Sequence, residues 1–388
     1  MIIQKAFKFK LKPTAEQERQ FYAIAGSCRK VWNIALAEII ERKDKGEPLQ
    51  AGFAKLCKDL TSWRNSDEYN YLSEYSAVTH QQKLKDLARA VSDSFKKKDS
   101  GARKEFPKWR KRDLHSSFRF TQNKKETNIQ VDNRRVKLPT IGWISFHKSQ
   151  EVKGKINTAT VSMKSGKWFI SLQVQVDVPE PTNYSTTAVG IDLGIAKFAT
   201  LSNGEVYEPL NSFRKLESKL AKLQRQLKNK KKFSENWKRL KRKIQKVHSK
   251  IANARTDYLH KTSTKITNNH GMIAIEDLKV SNMSKSAKGD AENHGKNVAG
   301  KSGLNKSILD QGWYEFRRQL TYKQDWKGGV LIAVPPHFTS QTCPCCEHVS
   351  KDNRQTQSNF ECVECGFNEN ADLVGSINIL SKAHELMA

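Results

Sequence analysis

Two C-x-x-C pairs between residues 343 and 365 constrain what this chain can fold into more than any other feature. The first pair is Cys343 and Cys346, the second is Cys362 and Cys365, and 15 residues separate the two pairs. Each pair turns two thiolates toward one point, and four thiolates complete a closed tetrahedral shell around zinc. A closed shell leaves no position for water, so the spacing predicts a structural zinc ion in a module over residues 341–367.

The three remaining cysteines do not fit this spacing. Cys345 lies inside the first pair, as a bystander or a fallback ligand. Cys28 and Cys57 stand alone in helical patterns, and we interpret both as buried small apolar residues. Seven cysteines are too few for a disulfide scaffold in 388 residues, and free redox thiols would not explain two spaced pairs. Zinc is therefore the favoured interpretation.

The charge balance of the chain points to a polyanionic partner. The chain has 69 Lys or Arg against 40 Asp or Glu, a net charge of +29. Phosphate neutralisation supplies most non-specific affinity for nucleic acid, so this excess predicts a nucleic-acid partner, with a membrane surface as a weaker alternative. No run of about 18 apolar residues and no signal-peptide core is present. We expect a cytoplasmic protein without a membrane partner.

The first half of the chain predicts a β-barrel that a helical insert interrupts. Apolar and polar residues alternate in the first dozen positions, and Thr14 begins a capping box with Gln17. Apolar residues at helical spacing follow, and strand-like runs resume near residue 100. We assign residues 1–13 and 100–182 to the barrel and residues 14–99 to the helical insert.

Four aromatic side chains lie among basic residues where the barrel resumes. They are Phe106, Trp109, Phe118 and Phe120. Aromatic rings between cations suit base stacking and phosphate contact. The rings could equally fill the core while the cations form a solvated face, and the sequence leaves both interpretations open.

The second half predicts an α/β domain over residues 183–340 and 368–388 that contains a basic helical hairpin. Residues 211–266 carry 19 Lys or Arg and only 3 acids. Apolar residues step by three and four on both sides of a break at 229–233, as in an antiparallel helical pair. A charge run is usually a solvated face, but this excess favours a nucleic-acid-binding surface.

Further patterns fill in this domain. Residues 271–278 and 329–336 predict buried strands, and residues 284–305 predict a mobile segment. One helix is predicted by the spacing of Ile308, Trp313, Phe316 and Leu320, and a final amphipathic helix by Leu373, Ile377 and Leu380.

Three acidic residues mark the ends or starts of these elements. Asp192 ends the run "VGID", Glu276 ends "IAIE", and Asp372 opens the final helix. Alone, each is more simply a strand-end or helix-start charge. Together, in a basic chain with a metal clip, they predict a site for two Mg²⁺ ions that hydrolyses phosphodiesters. Asp277 competes with Glu276, because neighbours in a strand face opposite sides.

These motifs resemble the TnpB family, the RNA-guided nucleases of insertion-sequence transposons, which are related to compact type V CRISPR effectors. The resemblance covers nearly the whole chain and is most specific in "VGIDLGIAKFATLSNG", "IAIEDLKV", "LDQGWYEFRRQLTYK" and the segment from "TSQTCPCC" to "GSINIL". It implies a multidomain α+β fold, in which a β-barrel wedge domain with a helical recognition insert precedes an RNase H-like (RuvC) nuclease domain. The resemblance also implies a zinc ribbon inserted in the nuclease domain.

The resemblance also implies roles for individual residues. Asp192, Glu276 and Asp372 correspond to the family's catalytic acids, which selects Glu276 over Asp277, and the four paired cysteines correspond to its zinc ligands. Implied partners are a transposon-derived guide RNA and target double-stranded DNA next to a short motif. A monomer associated with the nucleoid of a bacterium or archaeon is favoured.

Two positions depart from the family pattern. In the first cysteine pair, a residue other than cysteine is expected at Cys345 and usually a glycine at Glu347. Some relatives have lost catalytic acids and act as RNA-guided repressors, whereas all three acids are present here. A non-cleaving RNA-guided regulator and a strand-transferring transposase, which would share the RNase H fold, are the alternatives.

Overall fold

The computed structural model describes residues 1–96, 105–111, 116–122, 128–181, 185–290 and 293–388. The chain divides into two compact units, Met1–Val178 and Pro179–Ala388, and both combine helices with β-sheet. Among the described residues, no helix is long and apolar enough to cross a membrane.

The first unit consists of a long strand, a helical segment and a run of strands. Its elements are β1 (Ile2–Lys12), α1 (Ala15–Asp44), α2 (Phe53–Asn65), a 3-10 helix (Asn70–Glu74), α3 (Ala77–Ser94), β2 (Ser117–Thr121), β3 (Gln130–Asp132), β4 (Arg135–Leu138), β5 (Gly142–His147), β6 (Lys155–Lys164) and β7 (Lys167–Asp177). The predicted order of strand, helices and strands is therefore confirmed.

The strands of this unit form an antiparallel sheet in the order β2-β6-β7-β1-β5-β4-β3, as far as the described residues show. Side chains from β2, such as Phe118, and from β4, such as Val136, belong to one buried core, so the sheet curls around it. The side chain of Gln122 accepts a hydrogen bond from the Ile129 backbone at 2.9 Å, which ties the two ends of the sheet. The result is a half-barrel, since no β2–β3 pairing closes the sheet in the described part.

Helix α1 begins as predicted and belongs to two cores. Thr14 and Gln17 form the reciprocal capping box. In the first half of the helix, Phe21 and Cys28 pack into the sheet core, and in the second half Leu36 packs with α2 and α3. Cys28 is buried as predicted, but the prediction for Cys57 is wrong, because its position on α2 leaves it only half-buried.

The four aromatic residues of the basic segment divide between core and surface. Phe118 and Phe120 alternate inward on β2 and are buried, which is the core interpretation. Phe106 packs against the helical core, with Lys43 4.6 Å from its ring centroid. Trp109 is 50% exposed, so it is the ring of this set that is most available for stacking. Residues 103–104 and 112–115 of the segment lie outside the described residues.

The second unit is built on a mixed sheet flanked by helices. Its elements are β8 (Ala188–Asp192), β9 (Ala199–Leu201), β10 (Val206–Tyr207), α4 (Arg214–Lys228), α5 (Glu235–Asn269), β11 (Met272–Glu276), α6 (Val280–Met283), α7 (Val298–Gln311), α8 (Trp313–Lys327), β12 (Val330–Val334), β13 (Asn359–Glu361), β14 (Asn368–Asn370) and α9 (Ala371–Glu385). The sheet order is β10-β9-β8-β11-β12, with β8, β11 and β12 parallel.

One predicted burial pattern in this unit is wrong in detail, and one predicted helix is confirmed. Strand β12 is predicted to be buried but lies at the sheet edge, so Val330 is exposed and Val334 is its one fully buried residue. The final amphipathic helix is present as α9, where Val374 and Ile379 are fully buried and Leu373, Ile377 and Leu380 are partly buried. The buried face of α9 also includes small and polar residues, which apolar spacing does not detect.

The region between β11 and β12 also differs from its prediction. Ile308, Trp313, Phe316 and Leu320 are all buried as expected. They lie on two helices, because Gly312 adopts a left-handed conformation (φ +76°) that separates α7 from α8. Helix α7 begins at Val298, so part of the segment predicted to be mobile is helical, and residues 291–292 lie outside the described residues.

Helices α4 and α5 form the predicted hairpin. Leu220 packs against Ile244, Val247 and Ile251 along the seam. Asp310 of α7 accepts hydrogen bonds from the Phe213 backbone at 2.9 and 3.1 Å, which satisfies an N–H at the start of α4. The hairpin is thereby fixed to the sheet-bearing part of the unit.

Candidate active site and metal centre

Two of the predicted acids lie side by side at the carboxyl ends of adjacent strands in the sheet of the second unit. Strands β8 and β11 are parallel and adjacent, with Ile191 opposite Ile275. Asp192 and Glu276 follow these residues at the carboxyl ends of their strands. This edge is where ligands bind in open parallel sheets.

Helix α9 brings the third acid toward this edge, and two glycines allow its close approach. A Cβ atom on Gly190 of β8 would lie 2.0 Å from the Ser376 carbonyl oxygen, so only glycine permits the helix to pack there. A Cβ atom on Gly375 would lie 3.3 Å from Asp192 Oδ2. The Asp192 carboxylate therefore lies against the first turns of α9, and Asp372 belongs to the first turn.

The electrostatics of the three acids reflect their convergence. Burial, followed by the negative charges of Glu276 and Asp372, raises the pKa of Asp192 from 3.8 to about 7. Burial also raises the pKa of Glu276, although Thr339 donates a hydrogen bond of 2.6 Å to its Oε1. The charges of Glu276 and Asp372 thus destabilise the charged form of Asp192, and the fold tolerates that cost.

Asp277, the rival of Glu276, lies outside this group. Hydrogen bonds from Arg317 and Lys279 lower the pKa of Asp277, and both cations form ion pairs with it. Glu276 instead receives the hydrogen bond of Thr339. The alternation of the strand therefore directs the two neighbouring acids to different partners.

Two cations that sequence analysis did not single out flank Asp372. Arg354 lies 3.9 Å from Oδ1 and Lys197 lies 3.9 Å from Oδ2. The charge of Arg354 also lowers the pKa of Asp192 and of Glu276, so this one guanidinium acts on all three acids. In the sequence, Arg354 is distinguished only by its position between the two cysteine pairs. Since the chain has 69 basic residues, that position alone does not identify it as a functional residue.

The four paired cysteines converge on a single point. Their sulfur atoms all lie within 4.8 Å of one another, and among the described residues they form the one such group of three or more potential ligands. The Cys343–Cys365 and Cys346–Cys362 sulfur pairs are 3.6 Å apart. Tetrahedral Zn–S bonds of about 2.3 Å require sulfur atoms roughly 3.8 Å apart, so the group fits zinc. Cys345 is exposed and lies outside it.

The two cysteine pairs turn in the same way but with different residues. After each pair the next residue has positive φ: Gly366 at +72° and Glu347 at +61°. In both turns the backbone N–H of that residue donates to the carbonyl of the first cysteine, at 2.9 Å. Glutamate thus occupies a left-handed position that glycine adopts without strain.

The segment that leads into the cysteine group is fixed to the acidic group. Thr339 donates to Glu276, and its carbonyl accepts from the buried Asn378 side chain of α9 at 2.8 Å. Asn378 also donates to the Thr342 carbonyl at 2.7 Å, directly before Cys343. One side chain therefore joins α9, the β12 exit and the first cysteine pair.

The end of the α4–α5 hairpin presents aromatic and basic side chains together. Phe233 is 67% exposed and lies 5.5 Å from the Trp237 ring. Lys232 and Lys241 lie over these two rings at 5.5 and 4.8 Å. Rings bordered by cations suit single-stranded nucleic acid, in line with the predicted basic surface.

A group of half-buried carboxylates, four cysteines spaced for a metal ion and a basic surface are typical of metal-dependent enzymes that act on nucleic acids. Three family models match the chain. Residues 171–287 match OrfB_IS605, described as "Probable transposase". Residues 313–379 match the "Cas12f1-like, TNB domain", and residues 1–47 match a helix-turn-helix domain.

Curated relatives extend the match to nearly the full length. The chain is 49% identical over 383 residues to "Putative RNA-guided DNA endonuclease InsQ" of Escherichia coli (strain K12), covering 99% of this chain and 93% of that protein. It is 32% identical to a "Putative RNA-guided DNA endonuclease" of Streptomyces pristinaespiralis, covering 98% and 89%. The chain belongs to the TnpB family.

More distant similarities reach CRISPR effectors. A Cas12f1 endodeoxyribonuclease of Syntrophomonas palmitatica is 24% identical over 52% of this chain and 40% of that protein. A solved Cas12f1–sgRNA–target DNA complex aligns over 97% of this chain and 99% of that chain at 18% identity, with a TM-score of 0.35. Structural similarity at that score does not by itself define a fold.

Proposed function

We propose that this protein is an RNA-guided DNA endonuclease and that Asp192, Glu276 and Asp372 are its catalytic carboxylates. The observation that carries the proposal is the convergence of three acids from distant segments, with the pKa of Asp192 raised to about 7 by burial and by the other two. Perturbed groups of this kind concentrate at functional sites. The near full-length similarity to proteins named RNA-guided DNA endonucleases supports the same activity.

The donor set of this acidic group fits Mg²⁺. Carboxylate oxygens are the ligands that Mg²⁺ prefers, and the raised pKa values of Asp192 and Glu276 indicate negative charge that the protein only partly compensates. We infer two ions held by Asp192, Glu276 and Asp372. When bound, the ions would supply an activated water and stabilise the charge on the leaving oxygen.

Other side chains of this unit would hold the catalytic carboxylates in position and neutralise the charge of the substrate. Thr339 holds the Glu276 carboxylate in place through its hydroxyl. Arg354 and Lys197 both lie near Asp372, and their side chains are partly exposed, at 29% and 34%. Both cations would therefore be available to the negative charge of the scissile phosphate.

The rest of the molecule would hold the nucleic acids. We propose that the half-barrel is a wedge domain, that helices α1–α3 form a recognition domain, and that the second unit is an RNase H-like nuclease domain with its zinc module at 341–367. Cys343, Cys346, Cys362 and Cys365 would bind one structural zinc ion. The partners would be a transposon-derived guide RNA and target double-stranded DNA, bound by a monomer. The basic hairpin supports a nucleic-acid surface.

A reconstitution experiment tests this function. Sequencing of co-purified RNA would identify the guide, and a target library with randomised flanks would identify the adjacent motif. The wild-type complex is expected to cut the matched target in Mg²⁺. Asp192→Asn should retain the RNA and lose at least about 10³-fold in cutting rate, because the removed carboxylate acts with the others as a unit.

Asp277→Asn is the matched control, since Asp277 is paired to Arg317 and Lys279. It should keep cutting. Random co-purified RNA, or cutting by Asp192→Asn at the wild-type rate, would contradict the proposal. Guided binding without cutting by the wild type would favour a regulator, and strand joining would favour a transposase.

A further inference from the structure

A cavity of about 220 Å³ opens beside Glu276. It lies between the carboxyl ends of β8 and β11 and the start of α8, and its walls include Leu193, Leu278, Trp313 and Tyr314. Its place at the strand ends is the usual one for ligands in open α/β sheets. None of its lining residues except Glu276 has a role in the proposed catalysis.

The walls of this cavity are largely apolar and aromatic. Trp313 is buried, at 4% exposure, while Tyr314 beside it is 74% exposed at the rim. The indole N–H of Trp313 has no hydrogen-bond partner among the described residues. A large aromatic ring left in water at the mouth of an apolar cavity is available to stack against a planar ligand.

Two arginines complete the cavity and are held in place by acids. Arg317 pairs with Asp277, and Arg318 donates two hydrogen bonds of 2.8 Å to Glu315. A guanidinium carries five N–H groups, so Arg318 keeps donors for a further oxygen acceptor. Fixed guanidinium groups of this kind are suited to phosphate.

We propose that this cavity receives one nucleobase of the DNA strand being cut, the base adjacent to the scissile phosphate. The base would stack on Tyr314 while Arg317 and Arg318 contact the neighbouring phosphate. The inference rests on the proposed function, because Glu276 lines the cavity and would lie at the phosphate that is cut. Whatever enters the cavity must therefore belong to a nucleotide beside the cleavage point.

The size and chemistry of the cavity favour a base over other occupants. A cavity of roughly 150 Å³ can hold a benzene ring, whereas drug-sized ligands occupy at least about 300 Å³. A volume of about 220 Å³ therefore suits a single heterocycle. Stacking is tolerant of base identity, which fits a nuclease whose target would be chosen by guide pairing.

Abasic substrates test the inference. The target DNA is made with one abasic nucleotide at each position within three of the mapped cut, on the cut strand. With wild-type protein, one position should slow cutting about 5- to 100-fold, since stacking of one base contributes about 1–3 kcal/mol. Tyr314→Ala should cut the intact target about as slowly as wild-type protein cuts the sensitive abasic target. The same variant should cut that abasic target no more slowly than the intact one. Tyr314→Phe should behave as wild type.

A binding measurement makes the test independent of cutting. The base at the sensitive position, or at each position in turn, is replaced by 2-aminopurine and bound to the Asp192→Asn complex. Its fluorescence should be quenched, and the quenching should be lost when Tyr314→Ala is added. Phe95→Ala is the matched control, since Phe95 is also an exposed aromatic residue (54%) but directly follows α3 in the first unit. That variant should retain both abasic sensitivity and quenching.

Two results would overturn the inference. One is equal cutting of every abasic target by wild-type protein. The other is unchanged quenching or abasic sensitivity in Tyr314→Ala, whose melting temperature checks that it is folded. Failure of the proposed function is distinguishable, because wild-type protein would then cut no intact target. Failure of this inference alone would leave cutting of the intact target unchanged and remove only the effect of the abasic nucleotide and of Tyr314→Ala.

Discussion

The second unit contains two clusters of side chains that we propose to bind metal ions, and the two clusters are built in opposite ways. The cysteine cluster is gathered by two tight turns and brings its sulfur atoms within 4.8 Å of one another. The acidic cluster is gathered by two strands and a helix, and Arg354 and Lys197 stand 3.9 Å from one of its members. Local backbone geometry closes the cysteine cluster, whereas the proposed function requires the acidic cluster to stay open to a substrate.

The difference extends to stability. Four thiolates around zinc would stabilise the fold, since the binding free energy of a structural metal is also folding free energy. The acids work against the fold, because burial and mutual repulsion raise the pKa of Asp192 to about 7. The comparison teaches that, if the proposed roles hold, the structural cluster and the catalytic cluster should differ in the sign of their contribution to the free energy of unfolding.

The largest expected effect comes from breaking the cysteine cluster. Cys362→Ser should lose its zinc, because three sulfur ligands leave the tetrahedral shell open, and structural zinc binding contributes about 10–16 kcal/mol in small domains. Metal analysis of purified protein should fall from one zinc per chain to near zero. Cys345→Ser is the control and should keep its zinc. Full zinc content in Cys362→Ser would refute the ligand set.

The acidic cluster should respond in the opposite direction. In magnesium-free protein, Asp192→Asn is expected to be more stable than wild type at pH 8, by at most about 4 kcal/mol. The folded pKa of about 7 lies above the ordinary 3.8, so the folded state binds the proton more tightly. As pH falls from about 7 toward 4, the free energy of unfolding of the wild type should therefore increase relative to that of the variant.

Thermal melting of both proteins across this pH range measures the effect. Asp277→Asn provides the comparison, since ion pairing lowers the pKa of Asp277 and its removal should bring no gain at pH 8. A wild-type protein that is more stable than Asp192→Asn at pH 8 without magnesium would contradict the opposed signs of the two clusters.

A smaller change can separate activity from stability within the acidic cluster. Gly375→Ala should slow cutting about tenfold, because the new methyl group, 3.3 Å from Asp192 Oδ2, would displace a carboxylate that we propose to be catalytic. Melting should be unchanged or raised, since alanine favours a helix over glycine by about 1 kcal/mol. In Gly303→Ala on α7, the new methyl group would meet no atom of the described residues outside its own helix turn within 4 Å, so this variant should be stabilising and fully active. Equal activity of both variants would show that Asp192 tolerates the displacement.

The smallest effect is expected at the unequal turns of the cysteine cluster. Glu347→Gly removes a non-glycine residue from φ +61° and should strengthen zinc retention by about 1 kcal/mol, or about fivefold in chelator competition. Gly366→Ala places a side chain at φ +72° and should weaken retention by a similar factor. Weaker retention in Glu347→Gly would show that the glutamate side chain itself supports the turn.

Sequence reasoning succeeded where ligands are held by local spacing. The cysteine positions follow from C-x-x-C turns, and the hairpin seam follows from apolar steps of three and four. The choice of Glu276 over Asp277 needed a family resemblance, because the two faces of a strand look alike in one dimension. The Arg317 pair of Asp277 is a tertiary contact that no spacing encodes.

The failures have the same physical origin. Val330 is apolar because strands favour such residues, but its exposure depends on β12 being an edge strand. From sequence alone, Gly312 is compatible with the interior of one continuous helix. In the structure its left-handed conformation separates α7 from α8. The contacts of Arg354 arise when the cysteine module folds against α9, which is a long-range event.

Helix α1 has a mechanical consequence for the first unit. A single helix of 30 residues places its first half in the sheet core and its second half in the helical core. The helices α2 and α3 cannot swing on the half-barrel as a hinged arm unless this rod bends or breaks. Because α1 is part of both cores, a displacement of the helices would be transmitted directly to the sheet. Hydrogen exchange should therefore show the helical core and the sheet core opening together.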